Sequence, residues 1–279
     1  MLRRISLPFL ACFAFSTCLV GAAPPKGTLV IVGGGGMPQP ILDAFLGASG
    51  GKGGVVGIIP TSTSDPEGAL KEWQEDLEKA GLTFVALDVR AREQASRPEL
   101  LERAKRCTGF WFSGGDQNRV GDCIVGTPLH KLILERYAAG AAIGGTSAGA
   151  AIMSKVMLTG DDRHGKNEWS EFGPGAYRTR EGMGFLPPGV LVDQHFLRRS
   201  RQNRLFSLIM EHPDHLGLGI DEATALVVKD GKATVVGDRS VMVFDPAGMT
   251  MNGATLRDLR VHVLRAGQAI DLGTRKVSQ

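Results

Sequence analysis

The sequence predicts an α/β protein: a three-layer, mostly parallel sheet with helices on both faces, followed by a C-terminal antiparallel extension. Strand-like and helix-like segments alternate along the first half of the chain, which is the pattern of a parallel sheet with crossover helices. Residues 54–59 form a short continuous apolar run, typical of a strand buried on both faces. Near the C-terminal end, short apolar segments alternate with turns such as Asp230-Gly231, which favours antiparallel pairing.

The individual elements follow from the spacing of the apolar residues. Strands are predicted at residues 28–32, 54–59, 83–89 and 108–113, and helices at 38–46, 66–80, 98–106 and 129–138. A strand leads into residue 195, and a helix is predicted from there to about residue 210. Short strands at 218–220, 225–229, 234–237 and 241–244 form the extension. Because no linker, repeat or low-complexity tract interrupts the pattern, residues 24–279 are predicted to form a single domain.

The first 23 residues are predicted to be a secretory signal peptide rather than part of the fold. Two arginines precede an apolar core at residues 7–20, and the small residues 21–23 offer a cleavage site. This segment is too short and wrongly flanked for a membrane anchor, although an uncleaved anchor is the alternative. We therefore expect a secreted or periplasmic protein with no stable membrane insertion after cleavage.

Composition and cysteine usage narrow the function further. The net charge is only +3 and no aromatic ladder accompanies the basic residues, so a nucleic-acid partner is not expected. No Cys/His cluster has the spacing of a zinc site, so neither a metal nor another cofactor is predicted. Cys107 and Cys123 remain after removal of the leader, and both a disulfide and two free thiols stay open.

Two loops follow the first two predicted strands. The glycine run 33–36 is not a dinucleotide-binding fingerprint, because Pro38 stands where the third glycine should fall. It is interpreted as part of a pocket wall or as a tight turn between strand and helix. The hydroxyl-rich segment 61–65 either contacts a ligand or caps the helix that begins at Pro66.

The segment around Ser147 is the strongest functional signal. The sequence predicts a buried strand, then the turn Gly-Thr-Ser-Ala-Gly at residues 145–149, then the start of an apolar helix. This is the context of a nucleophile elbow. The small residues permit a sharp turn that exposes the serine hydroxyl. The backbone N–H of Ala148 is then placed to stabilise an oxyanion, and Gly115, after another strand, offers a second donor.

His195 is the predicted general base for Ser147. It follows an apolar strand, and the carboxyl ends of strands in an open α/β sheet form the rim where ligands bind. A neutral imidazole there can take the hydroxyl proton and return it to the leaving group. Arg199, Arg201 and Arg204 follow closely and could pair with substrate carboxylates, although a solvated basic helix face is the alternative.

These motifs together resemble cyanophycinases, a family of serine peptidases grouped with the aspartyl dipeptidases. The resemblance spans roughly residues 27–243. It is carried by the serine elbow, by Phe-Ser-Gly-Gly-Asp-Gln at 112–117, by Asp-Gln-His-Phe at 193–196 with the following arginines, and by Gly-Leu-Gly-Ile-Asp-Glu-Ala-Thr-Ala at 217–225. It implies a class I glutamine-amidotransferase-like fold. It also implies hydrolysis of cyanophycin, a polyaspartate with arginine joined to each side-chain carboxyl, to β-Asp-Arg dipeptides.

The resemblance also implies roles for individual residues. Ser147 matches the nucleophile and His195 the base. The matches to substrate-pocket residues are Gln117, Asp193, Gln194, Arg199, Arg201 and Arg204. The resemblance further implies a glutamate between serine and histidine as the third triad member, and a homodimer. In residues 160–181 the candidates are Asp161, Asp162, Glu168, Glu171 and Glu181, of which Glu168 is the prediction.

The sequence therefore predicts a secreted serine exopeptidase that acts on cyanophycin through an acyl-enzyme at Ser147. Two alternatives are kept. One is an aspartyl or isoaspartyl dipeptidase, whose smaller substrate needs fewer anion contacts than the three arginines and Gln117 provide. The other is a catalytically silent binding module, against which the presence of both Ser147 and His195 argues.

Overall fold

The largest element is a nine-stranded mixed sheet in a computed structural model that describes residues 24–162, 172–253 and 255–279. Its parallel part contains β1 (Leu29–Val32), β2 (Val55–Ile59), β3 (Thr83–Ala86), β4 (Gly109–Phe112) and β5 (Ala142–Thr146). The antiparallel part contains β10 (Thr224–Lys229), β11 (Lys232–Gly237), β16 (Ala269–Asp271) and β17 (Val277–Ser278). The strand order is β17-β16-β11-β10-β1-β5-β4-β2-β3. An α/β fold with a C-terminal antiparallel extension is thus confirmed.

The helices of the described residues include the four predicted before Ser147, close to their expected positions, and one at Gln117–Cys123 that was not predicted. They are α1 (Gln39–Ala48), α2 (Pro66–Lys79), α3 (Pro98–Lys105), α4 (Gln117–Cys123), α5 (Pro128–Ala139), α6 (Ala148–Ala151) and α7 (Gln202–Glu211), with a 3-10 helix at Arg92–Ser96. Asp65 caps α2, because its side chain accepts a hydrogen bond from Gly68 N. The capping interpretation of the 61–65 loop therefore applies to Asp65.

Alternate residues of the central strands belong to two separate apolar clusters. In β1, Leu29 and Ile31 pack in the cluster that contains residues of α3 and α5, whereas Val30 and Val32 pack with residues of α1 and α2. All four side chains are buried. The continuous apolar sequence of such strands is required because both faces are covered.

A second sheet, absent from the prediction, has four strands in the order β15-β12-β9-β8. They are β8 (Val190–Gln194), β9 (Leu216–Ile220), β12 (Ser240–Asp245) and β15 (Arg260–Arg265). The described residues also contain two hairpins: β6 (Val156–Asp162) with β7 (Tyr177–Glu181), and β13 (Thr250–Asn252) with β14 (Thr255–Arg257). The strand before His195 therefore belongs to this second sheet. His195 was expected at the rim of the main sheet.

The helix predicted directly after His195 is wrong over its first turn. Both His195 and Ser200 have positive φ angles, of 49° and 51°, which are incompatible with a right-handed helix, so α7 begins only at Gln202. Within the described residues, no helix is long and apolar enough to cross a bilayer. The predicted signal peptide at residues 1–23 lies outside the described residues.

Candidate active site

Ser147 sits in the sharp turn that the elbow motif predicts. It lies between β5 and α6 with φ 54° and ψ −108°, a strained conformation for a residue with a side chain. Its backbone N–H donates to the carbonyl of Val32 at 3.0 Å, which fixes the turn against the end of β1. The neighbouring Gly149 has no room for a side chain, since a Cβ there would lie 2.2 Å from the carbonyl oxygen of Phe112. Close packing thus explains the small residues of the motif.

His195 contacts Ser147 directly although 48 positions separate them. Its Nε2 lies 2.9 Å from Ser147 Oγ, and its Nδ1 lies 2.6 Å from Glu222 Oε1. A carboxylate only accepts hydrogen bonds, so Nδ1 donates to Glu222 and Nε2 is left to accept the serine proton. These three side chains form one continuous chain of hydrogen bonds.

The protonation of His195 suits a base. Burial lowers the pKa of His195 below its usual value of 6.5, and Arg199 and Arg201 lower it further by charge repulsion. The hydrogen bond to Glu222 acts in the opposite direction but does not overcome burial. The imidazole is therefore neutral at neutral pH, the form that can accept a proton.

Among the described residues, the carboxylate in contact with His195 is Glu222. Glu168, together with Glu171, lies outside the described residues, whereas Glu222 follows β9, and β9 runs parallel to the strand before His195. The ends of two parallel strands come together, so His195 and Glu222 meet. The signal that could have found Glu222 is the Asp-Glu pair directly after the apolar run 216–220.

The glycine run 33–36 binds the two segments that carry His195 and Glu222. The Gly33 carbonyl accepts from His195 N at 2.7 Å, and the Gly34 carbonyl accepts from Ala223 N at 2.9 Å. Gly34 lies directly against the imidazole: a Cβ there would be 2.3 Å from His195 Cε1. The loop at the end of β1 therefore joins the two sheets at the site, in agreement with the pocket-wall interpretation.

The predicted oxyanion donors are the backbone N–H groups of Ala148 and Gly115. Ala148 is the first residue of α6, and the first N–H groups of a helix have no partner within it. Gly114 packs near Ser147, with a Cβ position 3.5 Å from Ser147 Cβ, and Gly115 follows with φ 129°. In the described part of the chain, the Gly115 N–H makes no hydrogen bond.

The structure divides the predicted pocket residues into buried and exposed groups. Arg204 and Asp193 form a buried, two-pronged ion pair, with Arg204 Nε 2.5 Å from Asp193 Oδ2 and Arg204 Nη2 in contact with Oδ1. Arg201 donates from one nitrogen to both the carbonyl and the side-chain oxygen of Gln194, each at 2.7 Å. Burial and the adjacent Arg204 lower the pKa of Arg201 to about 10, so it remains cationic at neutral pH.

Arg199 is the exposed arginine of the three. Gln117 is buried at the start of α4, and its Nε2 donates to the carbonyl of Leu158 at 3.0 Å. It thereby ties α4 to the β6–β7 hairpin. Cys107 and Cys123 are both free thiols, and burial raises the pKa of Cys107 to about 12. Among the described residues, no group of three metal-ligating side chains is present.

An α/β fold with a serine elbow, a neutral histidine and a carboxylate in hydrogen-bonded sequence has the geometry of a serine hydrolase. A profile of peptidase family S51 matches residues 29–236. The chain belongs to peptidase family S51 and is a serine-type peptidase.

Individual relatives agree with this assignment. The chain is 35% identical over 267 residues to a cyanophycinase from Synechococcus elongatus, covering 90% of this chain and 81% of that protein. A cyanophycinase from Trichormus variabilis is 35% identical over 249 residues, with coverage of 85% and 82%. The crystal structure of a peptidase from an acI-B1 Actinobacterium is similar in fold, with a TM-score of 0.68 and 26% identity, covering 89% of this chain and 98% of that one.

Proposed function

We propose that the protein is an exopeptidase that hydrolyses cyanophycin to β-Asp-Arg dipeptides through an acyl-enzyme at Ser147. The observation that carries the proposal is the unbroken contact from Ser147 Oγ to His195 Nε2, at 2.9 Å, and from His195 Nδ1 to Glu222, at 2.6 Å. The similarity to cyanophycinases over 90% of the chain supports the choice of substrate.

The roles of the three side chains follow from their chemistry. Ser147 attacks the scissile carbonyl while His195 Nε2 takes its proton, and the imidazolium then returns that proton to the leaving amine. Glu222 holds the tautomer that leaves Nε2 free to accept, and it stabilises the imidazolium once formed. Glu222 is thus proposed as the third triad member in place of Glu168.

The oxyanion of the tetrahedral intermediate is proposed to bind between the N–H groups of Ala148 and Gly115. Ala148 directly follows Ser147, and Gly115 follows Gly114, whose Cβ position would lie 3.5 Å from Ser147 Cβ. Donors fixed in this way need no reorganisation during the reaction, and for this reason backbone N–H groups are effective there.

Arg199 is proposed to meet the substrate carboxylate. Arg199 is exposed, and its backbone N–H donates to the carbonyl of His195 at 2.9 Å. Arg201 and Arg204, by contrast, are buried against Gln194 and Asp193. We assign the latter four residues to the support of His195, because Arg201 and Arg204 bind the two residues that precede it. Gln117 uses one amide N–H for Leu158, and its second N–H and its side-chain oxygen are proposed to face the substrate.

One observation favours a second candidate function, that of an aspartyl or isoaspartyl dipeptidase. Because a single arginine of the three is exposed, the pocket offers fewer anion contacts than the sequence indicates. A small β-aspartyl substrate would need no further anion contact. The intact contact between Ser147 and His195 argues against a silent binding module.

We infer that residues 1–23 direct export, so that the enzyme acts in the periplasm or outside the cell. The central sheet is taken to follow the class I glutamine-amidotransferase-like arrangement, with helices in layers on both faces. The active form is taken to be a homodimer, which sedimentation of the purified protein can measure.

The experiment is a comparison of substrates. Purified protein is incubated with insoluble cyanophycin and with simple α- and β-aspartyl dipeptides, and released β-Asp-Arg is followed by mass spectrometry. Release from the polymer, abolished in Ser147→Ala, is the expected result. Hydrolysis of dipeptides alone would establish the second candidate, and equal activity of Ser147→Ala would refute the proposed nucleophile.

A further inference from the structure

A second cleft, of about 870 Å³, lies away from the site described above. It is bordered by the Lys155–Val156 end of the β6–β7 hairpin, by the first residues of β8 and β9, and by the turn after α7. None of Ser147, His195 and Glu222 lines it. Its volume falls within the range of small-molecule pockets.

The cleft and the active site lie at opposite ends of the same two strands. Val190 and Leu216 are the first paired residues of β8 and β9, whereas His195 and Glu222 follow their last residues. With a rise of about 3.3 Å per residue, the five steps from Val190 to His195 correspond to roughly 16 Å. A flexible polymer held at one end of the sheet could therefore reach the other.

Most charged groups of the cleft are already paired. Arg180 forms an ion pair with Asp122 at 2.8 Å, and Arg275 binds a carboxylate oxygen of Asp245 at 2.9 Å. His215 Nδ1 lies 2.8 Å from Asp214. These contacts fix the walls of the cleft, and Arg180 and Arg275 each have an opposite charge beside them.

Two charged groups remain for a ligand. Lys155 and Glu181 are exposed and, within the described residues, contact no opposite charge. The Nε2 of His212 is buried and, among those same residues, has no hydrogen-bond partner. Burial, together with the nearby His215, lowers the pKa of His212, so this nitrogen belongs to a neutral ring that can donate or accept. Because this nitrogen is buried, His212 belongs to the wall of the cleft and the two exposed charges make the ligand contacts.

We propose that this cleft is a second binding site for a zwitterionic unit that carries one carboxylate and one guanidinium. A simple anion would be repelled by Glu181 and a simple cation by Lys155, whereas a ligand with both charges satisfies both. Carboxylate binds Lys155 and guanidinium binds Glu181.

This inference rests on the proposed function for the identity of the ligand. In cyanophycin each arginine is attached through its amino group and keeps its carboxylate and its guanidinium. Every side arm of the polymer is thus such a zwitterion. Binding one arm in the cleft holds the insoluble substrate near Ser147 and raises its effective concentration there.

The test is the double variant Lys155→Gln/Glu181→Gln, with Lys79→Gln/Glu75→Gln as matched control. The control pair is equally exposed and lies on α2, outside the cleft. Both pairs are also made in a Ser147→Ala background, and the affinity for cyanophycin granules is measured by co-sedimentation. We expect the cleft variant to lose about tenfold in affinity and the control to match Ser147→Ala alone.

Activity provides an independent readout. In the active background, the cleft variant should show KM for granules raised by about tenfold, with kcat/KM for a single soluble β-aspartyl dipeptide within about twofold of wild type. Unchanged granule affinity, or an equal loss on the dipeptide, overturns the inference. If the wild type binds granules through the cleft but does not hydrolyse them, only the proposed function is refuted.

Discussion

At the scale of single residues, the behaviour of the site is governed by opposing influences on His195. Burial and two arginines favour the neutral ring, while Glu222 favours the charged ring through its hydrogen bond. Because burial dominates, the base is ready at neutral pH. Changing Arg199, Arg201 or Glu222 should therefore move the pKa of His195 in a defined direction.

The pH dependence of the wild type is the first prediction. The pKa of His195 lies below 6.5, and only the neutral imidazole accepts the serine proton. Activity should therefore be fully present at neutral pH and should fall as the pH drops through a midpoint below 6.5. The measurement is kcat/KM against pH, which reports the free enzyme. A midpoint above 6.5 would contradict the assignment.

Substitution of Arg199 should raise that midpoint. Arg199 is exposed and lowers the pKa of His195 by repulsion, so Arg199→Gln removes a positive charge and favours the imidazolium. KM should also rise, because Arg199 is the proposed carboxylate contact. Lys131→Gln, which removes a charge from an exposed position on α5, is the control and should leave both quantities unchanged.

Glu222→Gln should reduce kcat by about 10²–10⁴-fold, since the amide can hold the wrong tautomer of His195. It should also lower the midpoint of the residual activity, because the hydrogen bond that raises the pKa of His195 is weakened. Glu168→Gln is the comparison, and near wild-type activity is expected there. If Glu168→Gln were the more damaging change, Glu222 would lose its assigned role.

At the scale of elements, the loop between β1 and α1 determines whether the histidine fits. Its carbonyls bind His195 and Ala223, and its second glycine lies against the imidazole. Strand and helix periodicity located this loop but could not give it a function. The end of β8 and the β9–β10 turn, which contact this loop, come from distant parts of the chain. Sequence periodicity does not reveal such contacts.

A pair of glycine substitutions tests this loop. A Cβ at Gly34, where φ is 102°, would lie 2.3 Å from the imidazole, whereas a Cβ at Gly36 would meet nothing within 4 Å. Gly34→Ala should lower kcat/KM by about 10²-fold or more, because displacement of a reacting group by about 1 Å has that effect. Gly36→Ala should stay within about twofold. Equal effects of the two would argue against the loop as a support for His195.

At the scale of the whole molecule, two sheets meet at one site. The main sheet supplies Ser147, and the four-stranded sheet supplies His195 through β8. Arg204 from α7 pairs with Asp193 at the end of β8, and both are at most 2% exposed. This pair fixes α7 against the strand that carries the base.

Arg204→Met should lower the free energy of unfolding by about 3–5 kcal/mol, because Asp193 would remain as an uncompensated buried charge. Urea unfolding measures the change. Asp193→Asn combined with Arg204→Met should recover part of the loss. Arg199→Met, at an exposed position, should change stability by no more than about 0.5 kcal/mol. Equal stability of Arg204→Met and wild type would refute the structural role of the pair.

The amino-acid sequence alone determined the α/β class, most helix and strand positions, the serine elbow and the choice of His195, because apolar periodicity and small-residue turns are local properties. Only the tertiary structure decided that Glu222 meets His195, that the histidine strand belongs to a second sheet, and that Arg201 and Arg204 are buried while Arg199 is exposed. These facts depend on which strands run side by side, and pairing between distant segments leaves no periodic mark on the chain.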